Sequence, residues 1–209
     1  KKAIDIINSG LAIDTYYPSL NYIAGIVYKE IGDYINSKES LGWASRSIKY
    51  RSNALSKIAE ISLIEKDYEA AISYSNKSLE YNSNNISSLE VLAISNRLLS
   101  NKEDHQKILT KIESIDPIHH ILSFEKFLLN PSEINKTKFI NSHRSELRNE
   151  TFLELSIRYF NLDQTKEAQM ILMKGPRHLT NDLWISYISN NKDKQNKPKT
   201  NYTFALKAK

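Results

Sequence analysis

The chain contains no cysteine, which excludes disulfides, thiolate metal sites and cysteine-based catalysis. Glycine and proline are scarce, with 5 of each in 209 residues. An all-β fold would need many turn residues, so the scarcity favours long helices joined by short loops. No apolar run reaches the length of a membrane span. A Gly-rich phosphate loop, a nucleophile elbow and a zinc-binding HExxH pattern are also missing. The opening Lys1-Lys2-Ala3-Ile4-Asp5 is no signal peptide, because Asp5 interrupts any apolar region. No targeting signal is readable, which leaves the cytoplasm as the default compartment. The chain reads as an excerpt of a longer protein, cut at both ends.

What is present is charge and periodicity. The formal net charge is +5 and the pI about 9.1. Much of the excess lies in Lys192, Lys194, Lys197, Lys199, Lys207 and Lys209. Segment 192–209 is polar, lysine-rich and interrupted by Pro198, so it reads as a linker, with 201–209 the start of another helix. No aromatic-and-basic cluster accompanies these lysines, which argues against a nucleic-acid or membrane patch. Gly32-Asp33-Tyr34 aligns with Lys66-Asp67-Tyr68 at an offset of 34 residues, without gaps. The same offset defines windows 18–51, 52–85 and 86–119.

Each window reads as a pair of helices. Ile58, Ile61, Leu63 and Ile64 recur near a period of 3.6 rather than 2. Ser37 and Ala71 share a slot where the second helix passes close to the first, and Ala44 and Ser78 share another. Asp116-Pro117 ends the third window, since proline cannot continue the preceding helix. Segment 2–11 reads as the second helix of an upstream repeat. Segment 118–144 is a degenerate pair broken by Asn130-Pro131-Ser132, and 149–176 is a further pair with Ala168 in the small slot. Another first helix is expected over 182–189. Ser52, Ser132 and Asn149 are the expected helix starts. One repeat array over 1–191, of about five to six helix pairs, is the predicted domain.

These residues resemble the tetratricopeptide-repeat (TPR) family. The resemblance implies an all-α fold, a right-handed α-α superhelix. Gly42-Trp43-Ala44-Ser45-Arg46, Ile115-Asp116-Pro117 and Asn149-Glu150-Thr151-Phe152 are most similar to the repeat region of Bacteroidetes proteins that also carry a galactose-mutarotase-like domain of unknown function. That closer resemblance implies a carbohydrate-related parent protein. Some TPR domains grip the carboxylate of chaperone tails with lysine and asparagine. The matching positions here are Tyr22, Ile26, Ser56 and Glu60, so that clamp is absent.

The candidate sites follow. Trp43, Arg46, Tyr50 and Arg51 form an aromatic and cationic cluster suited to a binding hot spot or a sugar-stacking platform. The competing and favoured reading is that Trp43 packs between repeats while the arginines cap carbonyls. First helices line the concave surface, which nominates Tyr22, Ile26, Lys29, Glu60, Ile64, Ile94 and Arg97 as ligand contacts. His119-His120 is a poor metal pair, because adjacent helical residues point about 100° apart. His105 occupies a small slot and reads as a packing departure, while His143 and His178 stand alone. Glu60, Glu65, Glu69, Glu80 and Glu90 have the spacing of solvated helix faces rather than of acid–base pairs. Five Asn-X-Ser/Thr triplets are chance matches in an Asn-rich chain. The expected function is a non-catalytic interaction or scaffold module for a protein partner or a neighbouring domain. The alternative is an accessory domain contributing to a sugar site. No cofactor, metal, nucleic acid or membrane is expected, and end-to-end self-association is.

Overall fold

In the computed structural model, residues 2–142 and 148–190 are described. His143 and the lysine-rich segment 192–209 lie outside the described residues. Twelve helices run in chain order, with no strand among the described residues. They are α1 (Lys2–Ile13), α2 (Pro18–Glu30), α3 (Tyr34–Ala44), α4 (Arg51–Ile64), α5 (Tyr68–Tyr81) and α6 (Ile86–Leu98). Then follow α7 (Lys102–Ile115), α8 (His120–Leu129), α9 (Glu133–Ser142), α10 (Arg148–Asn161), α11 (Thr165–Lys174) and α12 (Leu179–Asn190). No described helix is long and apolar enough to cross a membrane.

Local chemistry sets the helix boundaries. Asp33, Asp67 and Asn85 cap α3, α5 and α6, each side chain accepting from the backbone N–H three residues on. Such a cap satisfies one of the orphan donors of the first turn. Pro18 opens α2, where its missing N–H costs nothing. Ser132 rather than a residue of α9 accepts from the N–H of Asn135, as expected for a helix start. By contrast α4 starts at Arg51, after Tyr50, and makes no side-chain cap, so Ser52 lies one turn position inside the helix.

The turns within the pairs repeat as the sequence does. Gly32, Lys66 and Ser100 all adopt positive φ, at 82°, 66° and 62°. They occupy the same place in successive windows. Asp163 does the same between α10 and α11, at 61°. Each left-handed residue lets the chain reverse and return the second helix antiparallel to the first.

Close approach within pairs depends on small residues. Ser37 is fully buried and its hydroxyl donates to the Gly25 carbonyl at 2.6 Å. Ala71 and Ala168 are buried in the equivalent slot, and Ser156 donates to the Ala168 carbonyl at 2.8 Å. The core is in two parts. Leu41, Ala44, Ala54, Ile58 and Ile61 form a small cluster at the N-terminal end, flanked by Tyr22, Tyr34, Tyr50 and Tyr74. A larger cluster runs from Ala59 to Ile188 and contains Phe124, Phe127, Phe139, Phe152 and Tyr159. Phe139 brings α9 against α8, with its ring 5.0 Å from Phe124 and 5.2 Å from Phe152. Aromatic packing of this kind adds about 0.5–1.5 kcal/mol per pair beyond burial.

Candidate functional site

Side chains of the first helices α2, α4, α6 and α10 meet in one set of ion pairs. Two of its carboxylates interrupt apolar runs, in Ile58-Ala59-Glu60-Ile61 and Leu89-Glu90-Val91-Leu92. The helical period therefore carries Glu60 and Glu90 inward with their neighbours. Glu60 is fully buried and Glu90 is 8% exposed. Both were expected on solvated faces, and both lie instead in ion pairs. Glu65, Glu69 and Glu80 are exposed.

Burying a carboxylate requires partners. Glu60 has three. Lys29 Nζ lies 2.5 Å from Oε2, Lys57 Nζ 3.0 Å from Oε1, and Arg158 Nη1 2.9 Å from Oε1. Arg158 comes from α10 and also donates to Glu90, from Nε at 2.9 Å and Nη2 at 2.6 Å. His119 Nε2 stands 3.5 Å from the other Glu90 oxygen. Burial alone would raise the Glu60 pKa. Arg158 foremost, then Lys29 and Lys57, overcome that and hold it well below the ordinary 4.5. Burial works against the Arg158 charge, but Glu90 and Glu60 outweigh it and raise its pKa further.

A second network lies deeper along the array. Glu125 of α8 is fully buried. It receives Arg97 Nε at 3.0 Å and the Tyr159 hydroxyl at 2.6 Å, and His105 Nε2 approaches to 3.0 Å. Arg97 Nη1 also donates to Glu167 of α11 at 2.9 Å. Burial pushes the Glu125 carboxyl up, and His105, Arg97 and Tyr159 together bring it below its usual range. The Tyr159 phenol is raised well above its ordinary value, by burial first and by Glu125 second. His105 thus sits in its small slot as a fully buried side chain against a carboxylate.

The sequence candidates fall into separate groups. Arg46 lies over the Trp43 ring, 3.9 Å from its centroid, and Tyr16 packs on Trp43 at 4.4 Å. Arg51 caps the chain, donating to the carbonyls of Ser45 and Arg46 at 3.0 Å each. Tyr50 stacks on Tyr22 with centroids 5.1 Å apart. Burial, and Glu60 after it, raise the Tyr22 phenol pKa. Ile26 is half-buried on α2, Ile64 partly buried on α4, and Ile94 is in the core. Lys29 and Glu60 enter the first ion network and Arg97 the second. His119 contributes to the first, whereas His120 is exposed. Among the described residues no group of three His, Asp or Glu could hold a metal ion.

Arg158, Glu125, Tyr159 and Glu167 escaped the sequence reading. A signal existed in the two carboxylates embedded in apolar runs, each of which demands a buried cation. Nothing in the linear sequence says that the cation sits 98 residues from Glu60.

Comparison with known proteins bears on the fold. No protein-family model matches the chain, and no curated protein matches it. Among solved structures it is similar to a tetratricopeptide repeat protein from Parabacteroides merdae, with a TM-score of 0.58 and 15% identity over 88% of this chain and 75% of that one. It is also similar to a thermophilic TPR protein from Thermus thermophilus, with a TM-score of 0.54 and 14% identity over 83% of this chain and 99% of that one. The chain therefore has an all-α, TPR-like helical-repeat solenoid fold.

Proposed function

We propose that this array is a non-catalytic interaction module that takes up an extended segment of a partner protein, or of a neighbouring domain of its parent, along the first-helix face. The observation that carries the reading is the row of charged and aromatic side chains that α2, α4, α6 and α10 turn toward one another. Lys29, Glu90, Arg97 and Arg158 each keep part of a side chain open to solvent beside the half-buried Tyr22, while Glu60 is sealed beneath them. Repeated first helices with such groups can read an extended chain one segment at a time.

Photo-crosslinking tests it. A benzoylphenylalanine placed at Ile26, on the groove side of α2, should yield a defined protein adduct in extracts of the source organism. The same probe at Ile48, which is 88% exposed between α3 and α4, should not. Equal labelling from both positions would remove the groove from the argument.

A second reading rests on the Tyr16–Trp43–Arg46 stack. Tyr16 is 61% exposed, so an open aromatic edge beside a cation is available for a sugar face. This is the accessory role in a mutarotase-like, carbohydrate-related parent. Glycan binding that disappears in Trp43→Ala would favour it over the peptide groove.

A further inference from the structure

The turns that join one helix pair to the next carry a repeat of their own. At the 34-residue offset, Asp14, Ile48, Asn82 and Asp116 occupy the same place in four successive turns. Asp14, Asn82 and Asp116 each fold back on the chain. Their side chains accept from the backbone N–H of Tyr16, Asn84 and Ile118, at 3.1, 3.2 and 3.2 Å. A short polar side chain does this readily in a connection. Ile48 has no acceptor to offer, and it stands 88% exposed. Its turn is held instead by Arg51, which donates to the carbonyls of Ser45 and Arg46.

Charge departs from the repeat at the same turn. Arg46, Lys49 and Arg51 have no lysine or arginine at the matching places of the other three turns. Among the described residues none of the three forms an ion pair. Each lies over a ring, Arg46 at 3.9 Å from the Trp43 centroid, Lys49 at 5.3 Å from Tyr50 and Arg51 at 4.8 Å from Tyr81. A ring face attracts the cation without cancelling its charge. The flanking turns bring Asp14 and Glu80, two carboxylates against three cations, and Asp14 is already folded onto its own backbone.

The patch is continuous across three turns. Tyr16 of the preceding turn packs on Trp43 at 4.4 Å, and Tyr81 at the following one lies under Arg51. Tyr16 is 61% exposed and Tyr81 56%. An aliphatic tip thus stands between two cations, with a half-bare tyrosine on either side. Such side chains suit the boundary between hydrocarbon and water. Tyrosine and tryptophan rings settle there, and lysine and arginine lay their stems along it with their charges among anionic headgroups. A soluble acidic chain would use the cations and gain nothing from a bare isoleucine.

We propose that the 45–51 turn is a membrane-surface anchor. Ile48 enters the headgroup boundary of an anionic bilayer, and Arg46 and Lys49 sit on the lipid charges. One aliphatic tip alone holds weakly, so the cations supply the second signal. The lysines of 192–209 lack aromatic neighbours, which argued against a membrane; this turn has both kinds of side chain. The anchor uses a turn between α3 and α4 rather than the first-helix face, so it stands or falls apart from the interaction-module reading.

The test uses the full chain and vesicles of phosphatidylcholine with or without phosphatidylglycerol. The chain has no cysteine, so Ile48→Cys takes a single nitrobenzoxadiazole label. On phosphatidylglycerol vesicles its emission should shift to the blue and be quenched by spin-labelled lipid tails. The same label at Ile134→Cys, 70% exposed on α9, should do neither. In co-sedimentation, Ile48→Asn leaves the charge unchanged and should lower vesicle affinity at least tenfold. Arg46→Gln with Lys49→Gln should remove the preference for phosphatidylglycerol. Absence of vesicle binding, equal shifts at positions 48 and 134, or a folded Ile48→Asn that binds as before would each overturn the anchor. Should Ile48→Asn not fold, the quenching at the Ile48→Cys label decides. Heparin binding as tight as vesicle binding and indifferent to Ile48→Asn would mark a site for soluble polyanions and overturn the lipid reading. None of these results bears on crosslinking at Ile26, which tests the interaction module.

Discussion

Arg158 on α10 donates to Glu60 on α4 at 2.9 Å, although 98 residues separate them. This one contact ties the fifth helix pair of the array, α10 and α11, back to the second, α4 and α5, where a simple solenoid would have each repeat touch only its neighbours. It follows that the solenoid is not an open ladder. Part of its stability is long-range and ionic.

Removing the bridge should destabilise the chain. In Arg158→Ala, Glu90 loses its guanidinium and Glu60 keeps only the two lysines. Breaking a buried pair costs about 3–5 kcal/mol, and the residual lysines place this case near roughly 3 kcal/mol. Arg158→Lys should restore less than half of that loss, because one ammonium cannot span both carboxylates. Urea unfolding of the three proteins reads the difference. Equal midpoints for Arg158→Lys and the unmodified chain would contradict the bridging geometry.

Stability should fall on acidification. Glu60 and Glu125 both have folded pKa values below the ordinary 4.5. Depressed carboxylates contribute stability that is fully present above 4.5 and lost as pH falls toward their folded values, because the unfolded chain binds protons there first. The urea midpoint should hold from neutral pH down to about 5 and then decline. Glu125→Gln should flatten the decline while lowering the plateau. On the alkaline side, the raised Tyr159 phenol predicts a loss of stability that begins above its ordinary 10.0, since the unfolded chain releases that proton first.

The 34-residue offset, the small slots and the helix pairs were readable because a solenoid writes its packing into local periodicity. Ser37, Ala71 and Ala168 could be placed from the chain alone for that reason. The ion networks were not readable in the same way. Glu60 and Glu90 resembled surface residues because charge usually marks a solvated face, and only the return of α10 supplies the partner that makes burial tolerable. In the Trp43 cluster the expected carbonyl cap was legible for Arg51 but not the stacking role of Arg46. Arg51 serves as a carbonyl cap and Arg46 as a stacking cation, a division that depends on where the 45–50 turn runs.

The positive-φ turn residues predict stabilising substitutions. Lys66 and Ser100 hold the left-handed conformation that Gly32 holds in the first window. A side chain there costs about 1–2 kcal/mol, and glycine returns part of it as extra unfolded-state entropy, about 0.5–1 kcal/mol. Lys66→Gly and Ser100→Gly should each raise stability by up to about 1 kcal/mol, with Gly32→Ala lowering it by a similar amount. Thermal melts of the three variants test the set together. A uniform loss would mean that the side chains at Lys66 and Ser100 matter more than the backbone.

Two helical glycines should respond in opposite directions to the same change. A Cβ on Gly25 would meet Leu41 Cγ at 2.4 Å and the Ser37 carbonyl oxygen at 3.2 Å. Leu41 is fully buried in the small core cluster and cannot swing aside, and Ser37 already donates to the Gly25 carbonyl. Gly25→Ala must therefore push α3 from α2, at about 1–3 kcal/mol for an overpacked core. Gly42, on α3, has nothing within 4 Å of its added Cβ. Its replacement by alanine removes only the entropy penalty of a mid-helix glycine, about 0.5–1 kcal/mol in favour of folding. Combining Gly25→Ala with Leu41→Ala should cost less than the sum of the two single changes, since the alanine opens the space that the new methyl needs. Strict additivity in urea unfolding would show that the tight approach of α2 to α3 is not what selects glycine at position 25.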